Sequence, residues 1–354
     1  MEKGSRDMAN IKAVDGINLF KDSKQEEIKP IAIDLGSSSI KACGAINGKP
    51  IYKKIKSKCT EMSTDDNFVV EMDNRKVHFG VGKPLIKQDK TQREYIAEQI
   101  LLCVHQIYGA SNGVTRIKLA VAIPLNLYEV DGKREKFQES LDKLKNQQLT
   151  GLVNGDIMVV EIESILVCAE GYSAYYALAD IIRATKPFII FDFGYRTTDA
   201  LVVTPNLEEG SCAITSYGTV ELGMYEVFKD IQRQFLNDTG KNLPLEDVET
   251  CILYAPEVKV ANKDNTGYER KDIRNWIHYG SSTFKDIYRD FELMFGEIGS
   301  KDIYLVGGGA TLISQICEYI TKSLEEQLVV ETELIASQED LTFANSAGCF
   351  MQII

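Results

Sequence analysis

Two short stretches restrict what this chain can fold into more than any other feature. IDLGSSSIK at residues 33–41 and FDFGYRTTD at residues 191–199 follow one plan: an apolar strand ends in Asp-x-Gly, the chain turns, and a second strand returns. Each is followed by helical segments and a later buried strand. A plan repeated in this way signals an internal duplication. It predicts two α/β lobes of similar topology with a cleft between them.

Each stretch also carries chemistry. Backbone N–H groups that converge in a tight turn make a concave anion site. In the first stretch Gly36 permits the turn, Ser37, Ser38 and Ser39 add hydroxyls, and Lys41 brings positive charge to outer phosphates while Asp34 faces a hydrated Mg2+. The second offers Asp192, Gly194, Thr197, Thr198 and Asp199, with Tyr195 and Arg196 inside the turn. Read singly, either is also an ordinary surface hairpin. Read together, they clamp a triphosphate chain from two sides.

A third motif is IYLVGGGATLI at residues 303–313, a buried strand followed by Gly307, Gly308, Gly309 and a helix start. A backbone without side chains lets a nucleoside lie flat against it; close helix–strand packing is the other reading. The fourth candidate is Glu163, in VVEIESILVCAEG, placed where a buried strand becomes a helix. The helix dipole favours a carboxylate there. Glu161 and Glu170 are its local rivals.

The chain has 354 residues, enough for two domains of ordinary size. With 44% hydrophobic and 26% charged residues it reads as globular. No apolar segment reaches the roughly 18 residues of a membrane span, and the first residues lack the apolar core of a secretory signal. The cytoplasm is the expected compartment. A net charge of −12 opposes direct binding of DNA or RNA, whose non-specific partners work by neutralising phosphate. The one basic patch, KPIYKKIKSK, holds five lysines between residues 49 and 58 and reads as a solvated strand face or edge. The eight cysteines form no C-x-x-C pair and read as reduced thiols. The three histidines have no metal-ligand spacing.

Periodicity places the helices. Ile96, Ile100, Cys103, Val104 and Ile107 make one apolar face over residues 93–109. Further helices are expected over KREKFQESLDKLKN, ILVCAEGYSAYYALADII and GMYEVFKDIQRQFLND, and a short one at the C-terminus. A long helix over RKDIRNWIHYGSSTFKDIYRDFELMFGEIG is expected to bend at Gly280. Residues 1–29 read as an N-terminal extension, 30–182 with 338–354 as the first lobe, and 183–337 as the second.

The three spaced motifs, in this order, resemble those of the actin-like ATPase superfamily: actin, sugar kinases, the seventy-kilodalton heat-shock chaperones and bacterial filament proteins. Within it the chain most resembles plasmid-segregation actins of the ParM type. LAVAIPLNLYEVDGKREKF, EIESI with EGY, and LTFANSAGCF carry the resemblance further. It implies a duplicated, ribonuclease H-like two-lobe α/β fold that binds ATP or GTP with Mg2+. Asp34 and Asp192 would then hold the metal, largely through water. Ser37, Ser38, Ser39 and Lys41 would contact the β- and γ-phosphates, and Gly194, Thr197 and Thr198 would do so from the other lobe. Glu163 would orient the attacking water. Gly307, Gly308 and Gly309 would support the nucleoside, with Leu312 or Ile313 near the base. Tyr195 and Arg196 stand where many relatives have small residues; Arg196 would touch phosphate, or face solvent or a neighbouring subunit.

The function so implied is nucleotide-driven polymerisation, followed by hydrolysis that destabilises the filament. The partners would be further copies of the chain and a DNA-binding adaptor at filament ends, with no membrane. A small-molecule kinase of the same superfamily is the alternative, although the aspartate base it needs is not evident. A chaperone-like switch is a third reading.

Overall fold

The structure, a computed structural model, describes residues 27–62, 68–85, 92–110, 112–130, 132–145, 147–178, 186–206, 211–254, 257–261, 267–296, 298, 301–313 and 338–354. Residues 1–26 of the expected N-terminal extension and both lobe boundaries near 182 and 337 lie outside them.

The first Asp-x-Gly stretch is a hairpin of β1 (Lys29–Leu35) and β2 (Ser39–Ile46), extended by β3 (Lys49–Lys56). Then come β4 (Lys58–Thr60), β5 (Phe68–Met72), β6 (Arg75–Phe79), β7 (Lys83–Pro84), α1 (Ile96–Tyr108) and β8 (Val114–Ile123). Helices α2 (Leu125–Tyr128) and α3 (Lys133–Lys145) lead to β9 (Gln148–Val153), β10 (Asp156–Ala169) and α4 (Tyr172–Leu178). The strands form one ten-stranded sheet in the order β3-β2-β1-β8-β10-β9-β5-β6-β4-β7.

The second stretch is the hairpin of β11 (Phe188–Phe193) and β12 (Thr198–Asn206), followed by β13 (Ser211–Val220), α5 (Met224–Thr239) and α6 (Leu245–Leu253). A small hairpin of β14 (Glu257–Ala261) and β15 (Tyr268–Asp272) precedes α7 (Arg274–Ile277), α8 (Ser281–Phe295) and β16 (Asp302–Val306). The second sheet runs β13-β12-β11-β16. The last helix, α9 (Gln338–Met351), packs back on α4, β1 and β2.

The duplication is present in the topology. In each sheet an antiparallel meander of three strands is closed by a parallel strand beside the first: β3-β2-β1 by β8, and β13-β12-β11 by β16. Each lobe has its own core. Ile33, Leu101, Val121 and Phe137 are buried in the first; Phe188, Phe191, Phe228 and Phe291 are buried in the second. The bend at Gly280 is a short 3-10 turn, His278–Gly280, between α7 and α8. No helix among the described residues is long and apolar enough to cross a membrane.

Two expectations are corrected. The run ILVCA is strand, not helix: β10 continues through Ala169, and α4 begins only at Tyr172. A buried parallel strand needs no polar alternation, so its apolar run imitates a helix core. The segment YERKD is strand β15, so the helix expected from Arg270 begins at Arg274.

Candidate functional site

Antiparallel register decides what each hairpin presents. In the first, Asp34 lies directly opposite Lys41. Cross-strand partners share a face, and the Lys41 Nζ donates to Asp34 Oδ2 at 2.9 Å. Burial works against the Lys41 ammonium, but Asp34 foremost, then Asp192 and Glu170, outweigh it and hold its pKa above the ordinary value. In the second hairpin the equivalent pair is Asp192 opposite Asp199, two buried carboxylates. Like charges directly opposite are destabilising. Here they are held by neighbours: Asn345 Nδ2 donates to Asp192 Oδ2 at 2.5 Å, and the Thr219 hydroxyl donates to Asp199.

Glu170 joins them. It is the first residue after β10, and its backbone N–H donates to the Ile123 carbonyl at 2.8 Å, so the ends of β8 and β10 fix it. Carboxylate oxygens of Glu170, Asp192 and Asp199 lie within 4.8 Å of one another. At that separation two unit charges repel by at least about 3.5 kcal/mol at an effective dielectric of ~20. Such an all-oxygen, acidic set fits a hard divalent cation. Asp34, the other expected metal ligand, is outside this group and engages Lys41.

One cavity of about 280 Å3 joins the two lobes, lined on one side by Asp34, Gly36, Ser37, Ser38 and Lys41 and on the other by Asp192, Gly194, Tyr195, Arg196 and Thr197. Gly308, Gly309 and Leu312 line it as well, with Glu170 and Asn345. A Cβ on Gly308 would have only Lys41 Nζ nearby, at 4.0 Å, so this glycine leaves room for a ligand. Gly307 is different: its φ is +86°, and a Cβ there would fall 2.2 Å from Asp192 Oδ1.

Four expected site residues do not line the cavity. Gly307 shapes the turn from beneath. The Thr198 hydroxyl donates to the Leu222 carbonyl at 2.9 Å, so it serves the loop. Ser39 is buried in β2, and its Oγ has no hydrogen-bond partner among the described residues. Glu163 is the fourth. It sits at a bulge inside β10, where Arg116 pairs with it at 2.6 Å. At about 3.3 Å per strand residue it is roughly 20 Å from the strand end where Glu170 faces the cavity. Arg196 lies over the Tyr225 ring, 4.0 Å from its centroid, as well as lining the cavity.

Sequence reasoning missed Arg93. Its guanidinium donates to the Leu35 carbonyl at 2.6 Å, to the Gly36 carbonyl at 3.3 Å, to Gln99 at 2.9 Å and to Ser57. It therefore props the first turn from behind, and burial lowers its pKa to about 10. Asn345 lies within LTFANSAGCF, where the sequence gives it no role of its own. Its Oδ1 accepts from the Gly171 N–H at 2.9 Å while its Nδ2 holds Asp192, tying the end of β10 to the second hairpin.

The profile of the actin-like proteins' N-terminal domain matches residues 32–172, and that of the archaeal actin homologue MreB-like C-terminal domain matches residues 190–319. The chain belongs to the actin-like proteins. Among solved structures, an archaeal actin homolog resembles this actin-like protein with a TM-score of 0.67 at 19% identity, over 92% of this chain and 99% of that one. The same homolog in complex with ADP gives 0.66 at 18%, over 92% and 99%. A subunit of a 15-stranded ParM filament from Clostridium botulinum gives 0.65 at 17%, over 92% and 98%. No curated protein matches the sequence.

Proposed function

We propose that this actin-like protein binds ATP or GTP with Mg2+ in the cleft between its lobes, polymerises, and hydrolyses the nucleotide. The observation that carries this reading is that equivalent positions of the two hairpins meet at one cavity: Asp34 and Lys41, with Glu170, line it from the first lobe, and Asp192, backed by its register partner Asp199, lines it from the second. A lysine and converging turn N–H groups suit a polyphosphate. Carboxylates beside it suit the cation such a phosphate brings, with Asp192 and Asp199 as its holders and Glu170 next to them. That cation would neutralise phosphate charge when bound.

The protein's own groups do the rest. Lys41 binds the phosphate chain, held in place by Asp34. Ser37, Ser38, Gly194 and Thr197 orient it from both turns. Gly308, Gly309 and Leu312 leave a flat bed for the nucleoside. Glu170, rather than Glu163, positions the attacking water and accepts its proton; one aligned carboxylate suffices for this.

Self-assembly is supported by the likeness to a filament-forming ParM subunit. A role in plasmid segregation, through a DNA-binding adaptor in the cytoplasm, follows from the ParM-like motifs and from a net charge of −12 that disfavours direct DNA contact. The test incubates the purified chain with Mg-ATP or Mg-GTP and follows phosphate release, light scattering and sedimentation together. Nucleotide-dependent pelleting that decays as phosphate appears is expected. Hydrolysis with no scattering and no pellet would sink the filament; failure to bind either nucleotide would sink the whole reading.

A further inference from the structure

The lysine-rich strand is not merely solvated. Lys54 is the register partner of Lys41, so both project from the same face of the sheet, the face that meets the second lobe. Two residues beyond β3, Lys58 Nζ reaches Glu246 Oε2 on α6 at 2.5 Å. The lysine belongs to the first lobe's sheet. The glutamate belongs to a helix whose Val248, Cys251 and Ile252 are buried in the second lobe's core. Glu249, one turn after Glu246 and therefore on the same face of α6, lines the cavity; burial foremost lowers the Lys54 pKa, and the Glu249 charge opposes that shift. Lys58 foremost, with Lys56 adding to it, holds the Glu246 carboxyl below its ordinary pKa.

The position of these groups matters as much as their charge. Glu249 faces the cavity, whereas the Glu246 side chain is 58% exposed. The ion pair therefore stands where the cavity opens to solvent. We propose that the lysines of β3 and β4 and the acidic face of α6 form a charge clasp between the lobes, which closes the mouth of the cleft and sets how fast nucleotide leaves. The clasp rests on the nucleotide reading above and adds its regulation. Because the pair is exposed it is weak and screened by salt, which suits a closure that must open at every exchange. Lys58 and Glu246 are positioning residues: neither lines the cavity, and they act through the distance between the lobes.

The test measures release of a fluorescent ATP analogue, with Mg2+, from protein too dilute to polymerise. Lys58→Glu and Glu246→Lys each replace attraction by repulsion and are expected to speed release about fivefold at low salt. The double exchange of both residues restores the wild-type rate, and added salt accelerates wild type but not the single variants. Unchanged release in both single variants, or a double variant as fast as either single one, overturns the clasp. Small-angle scattering of the nucleotide-free chain supplies a second readout: both single variants are expected to be more expanded than wild type and the double variant is not. Should wild type bind no nucleotide, the functional reading fails, and the scattering result alone upholds or overturns the clasp.

Discussion

Gly307 and Gly308 are neighbours in sequence with opposite work to do, and replacing each by alanine separates the fold from the site. Gly307 has φ +86°, where a Cβ costs about 1–2 kcal/mol. That Cβ would also lie 2.2 Å from Asp192 Oδ1 and 2.8 Å from the Phe193 carbonyl. The carboxylate must swing away, giving up the hydrogen bond from Asn345 at 2.5 Å, a charged hydrogen bond worth about 1.5–3 kcal/mol. Gly307→Ala should therefore lose roughly 3–5 kcal/mol, or about 10 °C in Tm for a lobe of this size. Gly308 has an ordinary φ and nothing closer to its Cβ than 4.0 Å. Gly308→Ala should keep Tm within about 1 °C, as benign substitutions do. It should nonetheless weaken nucleotide binding at least about tenfold, a loss of roughly 1.4 kcal/mol, because the added methyl occupies the ligand's bed. Thermal unfolding and titration with a fluorescent nucleotide read the two effects. A wild-type Tm for Gly307→Ala, or wild-type affinity for Gly308→Ala, would refute the reasoning.

Other outcomes follow from the same geometry. Glu170→Gln should slow phosphate release by about 100-fold or more while leaving nucleotide-driven pelleting intact, so filaments persist; Glu163→Gln, which loses only a half-exposed pair with Arg116, should stay within about twofold of wild type. The reverse ranking in a phosphate-release assay would return the role to Glu163. Burial pushes the thiols of Cys43 and Cys103 up to about 12 from an ordinary 9.0. Groups raised in the folded state leave stability intact below the unfolded value and erode it above, by about 1.4 kcal/mol per pH unit for each thiol. Urea unfolding midpoints should thus hold to about pH 8.5 and fall towards pH 10.5; a flat profile over that interval would count against the burial of these thiols.

What the sequence disclosed depended on whether a pattern was local. The hairpins were legible because strand, glycine turn and returning strand are contiguous, and antiparallel pairing then puts Lys41 opposite Asp34 without further information. The amphipathic faces of α1 and α5 were legible for the same reason. The sequence alone does not separate Glu163 from Glu170, because the run from Ile165 to Ala169 suits a buried strand or a helix core equally. At 14 residues β10 is far longer than the usual strand, and that length carries the carboxylate to the cavity. The contributions of Arg93 and Asn345 were hidden altogether. Each reaches a hairpin that is distant in sequence, and only the packing of α1 and α9 against the first sheet brings them near.

The double use of the Asn345 amide also fixes when the site can exist. Both hairpins have been made once residue 199 has been added, yet the tie that steadies Asp192 arrives only with α9, late in the chain. At about 5–20 residues per second, the ribosome needs on the order of ten seconds more to reach it. During that interval the nascent chain holds two carboxylate-bearing turns without the amide that aligns them. Under the proposed function, the aligned form of the nucleotide site would therefore be completed only when α9 docks.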